Sequence, residues 1–299
     1  MSPAQHAAMG SLPVSPAILI AAIALVCLLF LAGCHRARRA FANGIPVWRE
    51  ASFILGVFLV WAALGSPFAD FDHDLLTFHM IQHLLLMTFA PALILLGEPL
   101  LALKYGLPRF AHALRDGISR RPSAQHLGHA LSQPASCWII STVTLMGWHV
   151  PALFTLAMRS SAWHTAEQVS FFGAGFLFWW PVIQPWPSVS TGPRWSTLLY
   201  LFFATLPCDA LSGFLVFSDR VAYPAYFSMP RHFGLSVLED QQLAAALMWT
   251  CVTLVYLIPA AIVSVQLLSP RSLSRNAAVQ SELLREREAQ GDSPRWETV

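Results

Sequence analysis

Charged residues are scarce in this chain. They make up 11% of its 299 residues, while hydrophobic residues make up 56%, a balance far from that of an ordinary soluble domain. The formal net charge is only +2, and no charge pattern indicates nucleic-acid binding. The composition therefore predicts a multi-pass protein of a lipid bilayer.

Patterns built on cysteine and on alternating polarity are missing as well. The five cysteines show no Cys-x-x-Cys spacing, so most are predicted to be small packing residues rather than disulfide partners. No strand-like alternation indicates a membrane barrel, and backbone groups in lipid must pair internally, so the apolar runs are predicted to be helices. The only lysine, Lys104, lies between two of these runs, which excludes a retinal-binding receptor.

Seven runs approach the ~20 apolar residues that a spanning helix needs. The predicted fold class is therefore all-α, with a seven-helix transmembrane domain over residues 1–268 and a polar cytoplasmic tail over residues 269–299. The predicted spans are approximately residues 14–34, 50–68, 75–97, 134–157, 162–184, 195–217 and 239–268.

Basic residues predict the orientation of these helices. With the N-terminus outside and the C-terminus in the cytoplasm, only three of the 18 basic residues face outward, namely Arg159, Arg220 and Arg231. The positive-inside rule favours this arrangement. The loop over residues 218–236 is then external, and its Tyr223 and Tyr226 suit the membrane interface.

The block His79-Met80-Ile81-Gln82-His83 is the most informative motif. Residues four apart share one face of a helix, so the two imidazoles lie about 6 Å apart and are able to bind one metal ion together. Ionisable side chains inside a membrane segment cost free energy and therefore indicate a functional site. A polar pair that forms hydrogen bonds between helices is the alternative interpretation.

Other unusual polar residues share the depth of this pair. With helices of alternating direction and about 1.5 Å of rise per residue, they fall in the outer half of the bundle, and together with the pair they come from five helices. Imidazoles suit copper and zinc, and thioethers favour Cu(I), so the sequence predicts an externally open metal pocket with copper as the favoured ion. The candidate ligands are His79, His83, His149, Met87, His164, Glu167, Asp209 and Asp240.

Several candidates also have plain structural interpretations. His149 precedes Pro151 and would then bond to carbonyls freed by the proline. Glu167 and Asp240 would be acids near helix starts, where the helix dipole favours them. Met87 would be a packing residue.

Three blocks of the chain resemble the CtaG family of seven-helix cytochrome c oxidase assembly proteins. The blocks run from His79 to Pro99, from Trp148 to Pro181 and from Asp209 to Trp249. The resemblance covers about residues 50–260, and the His-Met-x-Gln-His block is its most specific part.

This resemblance implies a non-enzymatic role in the maturation of a haem-copper oxidase, in the formation of a copper centre, in the plasma (inner) membrane of a bacterium. The implied partners are oxidase subunits and a periplasmic or extracellular copper donor. Two positions depart from the family pattern. Gln168 replaces a usual histidine, which removes a potential ligand, and Ala245 replaces a frequent glycine.

Other functions are compatible with some of these features. A haem b electron-transfer protein needs histidines on facing helices, which His83 and His149 would supply, although the His79–His83 pair points both imidazoles to one spot. An intramembrane hydrolase is disfavoured because His164-x-x-Glu167 lacks the second histidine of a zinc-protease helix. A metal-free scaffold that binds a partner helix in a polar pocket is the main alternative, and the sequence does not exclude it.

Overall fold

The computed structural model describes residues 16–40, 45–106, 128, 130–183, 193–230 and 233–269. These residues form helices, turns and loops, and no strand is present among them. The all-α prediction is confirmed. All of the predicted cytoplasmic tail except Ser269 lies outside the described residues.

The helices within these ranges are numbered in chain order. Short 3₁₀ turns at Pro67–Phe71 and Pro224–Ser228 lie in the loops before the third helix and before the last one. The helices are α1 (Pro16–Ala40), α2 (Val47–Gly65), α3 (Leu76–Leu96), α4 (Pro99–Gly106), α5 (Pro134–Trp148), α6 (Pro151–Arg159), α7 (Ser161–Ile183), α8 (Trp195–Val216) and α9 (Val237–Leu268).

Five of the described helices are long and apolar enough to cross a membrane, namely α1, α2, α3, α8 and α9. The bent pair of α5 and α6 makes a sixth if it counts as one crossing. Helix α7 has 23 residues, but His164, Glu167 and Gln168 near its start lower its mean hydropathy. The count of seven spans and the orientation of the termini therefore stay predictions.

The run predicted as one span over residues 134–157 is two helices. The axes of α5 and α6 differ by 72°. Pro151 has no N–H group and disfavours a helical conformation at the residue before it. Val150 is accordingly extended, with φ −66° and ψ 124°, and the break places His149 in the turn between the two helices.

Helix α3 is the most buried of the candidate spans, because neighbouring helices approach it at glycines. A Cβ on Gly175 of α7 would lie 2.5 Å from the backbone oxygen of Met87, and a Cβ on Gly56 of α2 would lie 2.9 Å from the backbone nitrogen of Ile94. Any larger side chain at either position would push the helices apart.

The middle of α3 is wound more widely than an α-helix. A π turn extends over Leu84–Phe89, and the N–H of Ala90 donates to the carbonyl of Leu85, five residues earlier. Turns of this kind are frequent at functional sites. This one directly follows His83.

The loop between α8 and α9 folds into the end of the bundle. Tyr223 and Tyr226, expected at the membrane interface, are buried instead, each with 2% of its surface exposed. The Tyr223 hydroxyl donates to the backbone oxygen of His149 at 3.2 Å, and the Tyr226 hydroxyl donates to that of Asp72 at 3.0 Å. Burial raises the pKa of both hydroxyls, which keeps them protonated as donors. This loop therefore covers the end of the bundle at which the polar residues gather.

All five cysteines are free. Cys34, Cys137 and Cys208 are buried, as packing residues are expected to be. The burial of these three agrees with the prediction that most of the cysteines are packing residues.

Candidate metal centre

The two histidines of α3 lie against each other. Both are buried, and their Nε2 atoms are 2.7 Å apart, so one imidazole donates a proton to the other. Their Nδ1 atoms have no hydrogen-bond partner among the described residues. Two buried imidazoles that turn their Nε2 atoms toward one point are suited to metal ligation.

Helix α7 adds a carboxylate to this pair. Glu167 Oε1 lies 3.6 Å from His79 Nε2 and 3.5 Å from His83 Nε2, and Glu167 is 1% exposed. Its Oε2 has no hydrogen-bond partner in the described part of the chain. The three facing atoms all lie within 4.8 Å of one another. We call His79, His83 and Glu167 the inner triad.

A second group of ligand atoms adjoins the first. His164 Nε2 lies 3.4 Å from Asp72 Oδ2, and His73 Nε2 lies 3.7 Å from Asp72 Oδ1. These residues, which we call the outer triad, also bring their ligand atoms within 4.8 Å of one another. The rings of His79 and His164 are stacked, with centroids 5.8 Å apart, so the two triads form one contiguous cluster.

The cluster contains two buried carboxylates whose charged neighbours in the described part of the chain are histidines. Within the described ranges, neither Asp72 nor Glu167 forms an ion pair with arginine or lysine. Burial raises the pKa of the Asp72 carboxyl to about 7, although His79 and a hydrogen bond from Gln82 oppose this shift. Because buried carboxylates are costly without a counter-charge, a bound cation fits this cluster.

The spacing of the ligand atoms also fits a metal ion. Nitrogen and oxygen atoms that bind one ion tetrahedrally at about 2.0–2.1 Å lie roughly 3.3–3.4 Å from one another. The contacts of Glu167 with the two histidines are close to this value, whereas the 2.7 Å between His79 and His83 is shorter, as the separation of neighbouring ligands is around a tetragonal Cu(II) ion.

Gln168 lies within the cluster. Its Nε2 donates to Gln82 Oε1 at 3.2 Å and lies 3.3 Å from His164 Nε2. Gln82 in turn donates to Asp72 Oδ2 at 3.2 Å and to the backbone oxygen of Ala63 at 2.9 Å. The two amides therefore position Asp72 and His164 by hydrogen bonds.

His149 lies beside the inner triad. Its Nδ1 is 2.7 Å from the backbone oxygen of Leu145, so Nδ1 carries the proton and Nε2 is left as an acceptor. Leu145 lies near the end of α5, two residues before Gly147, whose carbonyl would otherwise accept from the N–H that Pro151 lacks. Together with His83 and Met87, His149 lines a cavity of about 40 Å³.

The structure does not bring the two remaining candidates into either triad. Asp240 is buried, and its carboxylate accepts hydrogen bonds from the N–H of Leu76 at 2.7 Å, the N–H of Thr77 at 3.1 Å and the Thr77 hydroxyl at 2.6 Å. Asp240 therefore caps the start of α3. Asp209 is half-buried in α8 and belongs to neither group of ligand atoms.

Sequence reasoning missed three members of the cluster. Asp72 and His73 belong to the run Asp70–Asp74 before α3, in which acids alternate with Phe71 and His73. This run of acids around a histidine is a sequence pattern that indicates metal ligands. Gln82 stands inside the His79–His83 motif, but its role depends on contacts that a sequence does not show.

Fold and site together define a class of protein: an all-helical protein with several helices of membrane-spanning length, and a buried cluster of histidines and carboxylates at one end. Residues 28–269 match the family model of the cytochrome c oxidase caa3 assembly factor (Caa3_CtaG). The chain belongs to this family, which confirms the resemblance seen in its three sequence blocks.

Curated relatives occur in mycobacteria. The chain is 26% identical over 246 residues to an uncharacterised protein of Mycobacterium bovis and to one of Mycobacterium tuberculosis, and 28% identical over 238 residues to one of Mycobacterium leprae. The alignments cover 78%, 78% and 75% of this chain but only 36%, 36% and 35% of the relatives. The chain thus spans about a third of their length. No solved structure matches the chain.

Proposed function

We propose that this protein is a non-enzymatic assembly factor that binds copper in its inner triad and passes it to a maturing subunit of a haem-copper oxidase. Family membership supports the oxidase as the target. The observation that supports copper handling is the convergence of the buried ligand atoms of His79, His83 and Glu167 within 4.8 Å, where no arginine or lysine of the described residues pairs with the carboxylate.

Copper is the ion that is passed on in this proposal, and a site with three protein ligands suits an ion that must be released again. Three protein ligands leave at least one coordination position of the ion open. A ligand of a periplasmic or extracellular copper donor, or of the oxidase subunit, is able to occupy this position during transfer. In the orientation favoured by the positive-inside rule, the site opens to the outer side of a bacterial plasma membrane.

The donor atoms favour Cu(II) over Cu(I). The triad offers two imidazole nitrogens and one carboxylate oxygen, and such sites bind Cu(II) more tightly than other divalent first-row ions. Met87, whose thioether would favour Cu(I), lines the neighbouring cavity. A thioether is therefore not required in the proposed ligand set.

A haem group fits the site less well. His83 and His149 both line the cavity of about 40 Å³, whereas pockets that hold organic ligands are commonly about 300–1,000 Å³. The Nδ1 of His149 is also held by the backbone oxygen of Leu145. Metal ligation by the inner triad needs no comparable opening of the bundle.

Copper binding is tested on the full chain, purified in a mild detergent and loaded with Cu(II). The double variant His79→Ala/His83→Ala is expected to lose the inner-triad ion, because both nitrogen ligands are removed. Glu167→Gln is expected to weaken binding by at least about 10-fold, since changes at supporting residues alone cost 10–100-fold. Metal analysis and the nitrogen couplings of the Cu(II) paramagnetic resonance spectrum measure both effects.

His35→Ala is the matched control, because His35 is an exposed histidine of α1 outside both triads. In a strain that lacks the gene, the His35 variant is expected to restore oxidase activity and copper content, and the double variant is expected to restore neither. Full restoration by the double variant would instead identify a metal-free scaffold. Unchanged copper content in the purified double variant would refute the metal site itself.

A further inference from the structure

The proposed function leaves the outer triad without a role. We propose that Asp72, His73 and His164 form a second metal site, which takes up a divalent transition-metal cation and passes it to the inner triad. The second site stands on its own geometry, and only the passage to the inner triad rests on the proposed function.

The spacing of the outer triad already matches that of a metal site. Its contacts of 3.4 Å and 3.7 Å with the Asp72 carboxylate are longer than ordinary hydrogen bonds of about 2.7–3.2 Å. They are close to the roughly 3.3–3.4 Å that separates ligand atoms around one tetrahedral ion. His164 and His73 contact different oxygens of Asp72, so the carboxylate lies between the two imidazoles.

Supporting contacts hold the ligands in this arrangement. The Asp72 backbone oxygen accepts from Tyr226, and its Oδ2 accepts from Gln82. The His164 ring is stacked on His79 and lies next to the Gln168 amide. Such second contacts orient metal ligands in known metal sites and strengthen binding.

Exposure gives the two triads an order. The His73 side chain of the outer triad is 14% exposed, whereas the other five side chains of the two triads are between 1% and 7% exposed. A cation from solution therefore meets the outer triad first. The stacked rings of His79 and His164, with centroids 5.8 Å apart, leave only a short step from one triad to the other.

The second site is tested by the stoichiometry of the full chain with Cu(II) as the probe. Wild-type protein is expected to bind two ions whose spins couple, because the triads adjoin. Asp72→Asn/His73→Gln is expected to bind one ion with an uncoupled spectrum. Both substitutions keep the size and polarity of the side chains, so the variant is expected to fold, and an unchanged elution volume and unfolding temperature check this.

The outcomes separate this proposal from the proposed function. One ion in wild-type protein that is lost in His79→Ala/His83→Ala and kept in Asp72→Asn/His73→Gln would overturn the second site alone. One ion in wild-type protein that is kept in His79→Ala/His83→Ala and lost in Asp72→Asn/His73→Gln would support the outer triad and overturn copper binding by the inner triad. Two ions in Asp72→Asn/His73→Gln would overturn the assignment of these ligands.

Passage between the triads has its own measurement. His73→Gln is expected to slow the loading of the inner triad by about 10-fold or more, if loss of one ligand weakens capture as strongly as a lost supporting contact does. Loading is followed by rapid-freeze paramagnetic resonance of the inner-triad signal, with His35→Ala as the control. An unchanged loading rate would overturn the passage.

Discussion

Asp240 holds the start of the helix on which the histidine pair lies. Its carboxylate accepts hydrogen bonds from the first residues of α3, Leu76 and Thr77. A negative charge at a helix N-terminus is favourable, and a buried acceptor is costly to remove because the donors lose their partner. One acid of α9 thus fixes where α3 begins.

Asp240→Asn is expected to lower the free energy of unfolding by about 1–3 kcal/mol. The amide keeps the shape of the side chain, but it has no charge and only one acceptor oxygen. Thermal unfolding in detergent measures the change, with Asp219→Asn in an exposed loop as the control. If the folded Asp240 variant lost copper while its stability stayed unchanged, Asp240 would be a ligand and the capping role would be wrong.

Individual residues could be predicted from the sequence where local spacing decides the outcome. The four-residue separation of His79 and His83 places both on one helix face, and this part of the site was predictable. The facing of Glu167 toward that pair and the capping by Asp240 were not predictable. Both depend on distances between helices that are distant in the sequence.

At the scale of helices, the site depends on how closely α7 packs on α3. Gly175 lies two turns beyond Glu167 on α7, and its missing side chain lets α7 approach the backbone of Met87. A wider separation at this point would draw Glu167 away from the histidines. Gly175 therefore supports the inner triad, although it has no side chain that contacts the ligands.

Gly175→Ala is expected to destabilise the protein by about 1–3 kcal/mol through overpacking and to weaken copper binding. Gly173→Ala is the matched control, because a Cβ at Gly173 meets nothing within 4 Å. It is expected to be neutral or to stabilise α7 by up to about 1 kcal/mol, since alanine favours a helix over glycine. Unfolding curves and copper titrations compare the two, and equal effects would contradict the close approach.

The helix boundaries were largely predictable, since apolar runs of membrane length end at polar residues. The break between α5 and α6 was not predicted, although Pro151 is visible in the sequence. Proline is tolerated inside membrane helices when neighbours satisfy the freed backbone groups. Here Val150 is extended and the chain bends by 72°, an outcome that depends on the packing around His149.

At the scale of the whole molecule, the membrane orientation follows from charge. If the three outward basic residues are Arg159, Arg220 and Arg231, a reporter fused at residue 299 is expected to lie in the cytoplasm. Green fluorescent protein at this end should fluoresce, and alkaline phosphatase at the same position should be inactive. Active phosphatase there would reverse the orientation and place the cluster on the inner side.

The general architecture could be predicted because composition alone decides between membrane and soluble classes. The number of spans could not be settled in the same way. Helix α7 combines the length of a span with the polar residues of the site, so its role in the site lowers the very hydropathy by which spans are found. The same polar residues that indicate a functional site therefore count against a membrane span.

The π turn over Leu84–Phe89 holds one residue more than the α-helical stretch that would join the same two ends. The deletion of a single codon there is therefore expected to turn the stretch into regular α-helix and to leave His79 and His83 facing as before, relative to the half that contacts Gly56 and Gly175. A deletion in a regular stretch of α3 would instead rotate the two halves by about 100° against each other, so that they no longer face their partners together. Among relatives of this chain, a one-residue gap directly after the His-Met-x-Gln-His block is thus compatible with an intact cluster.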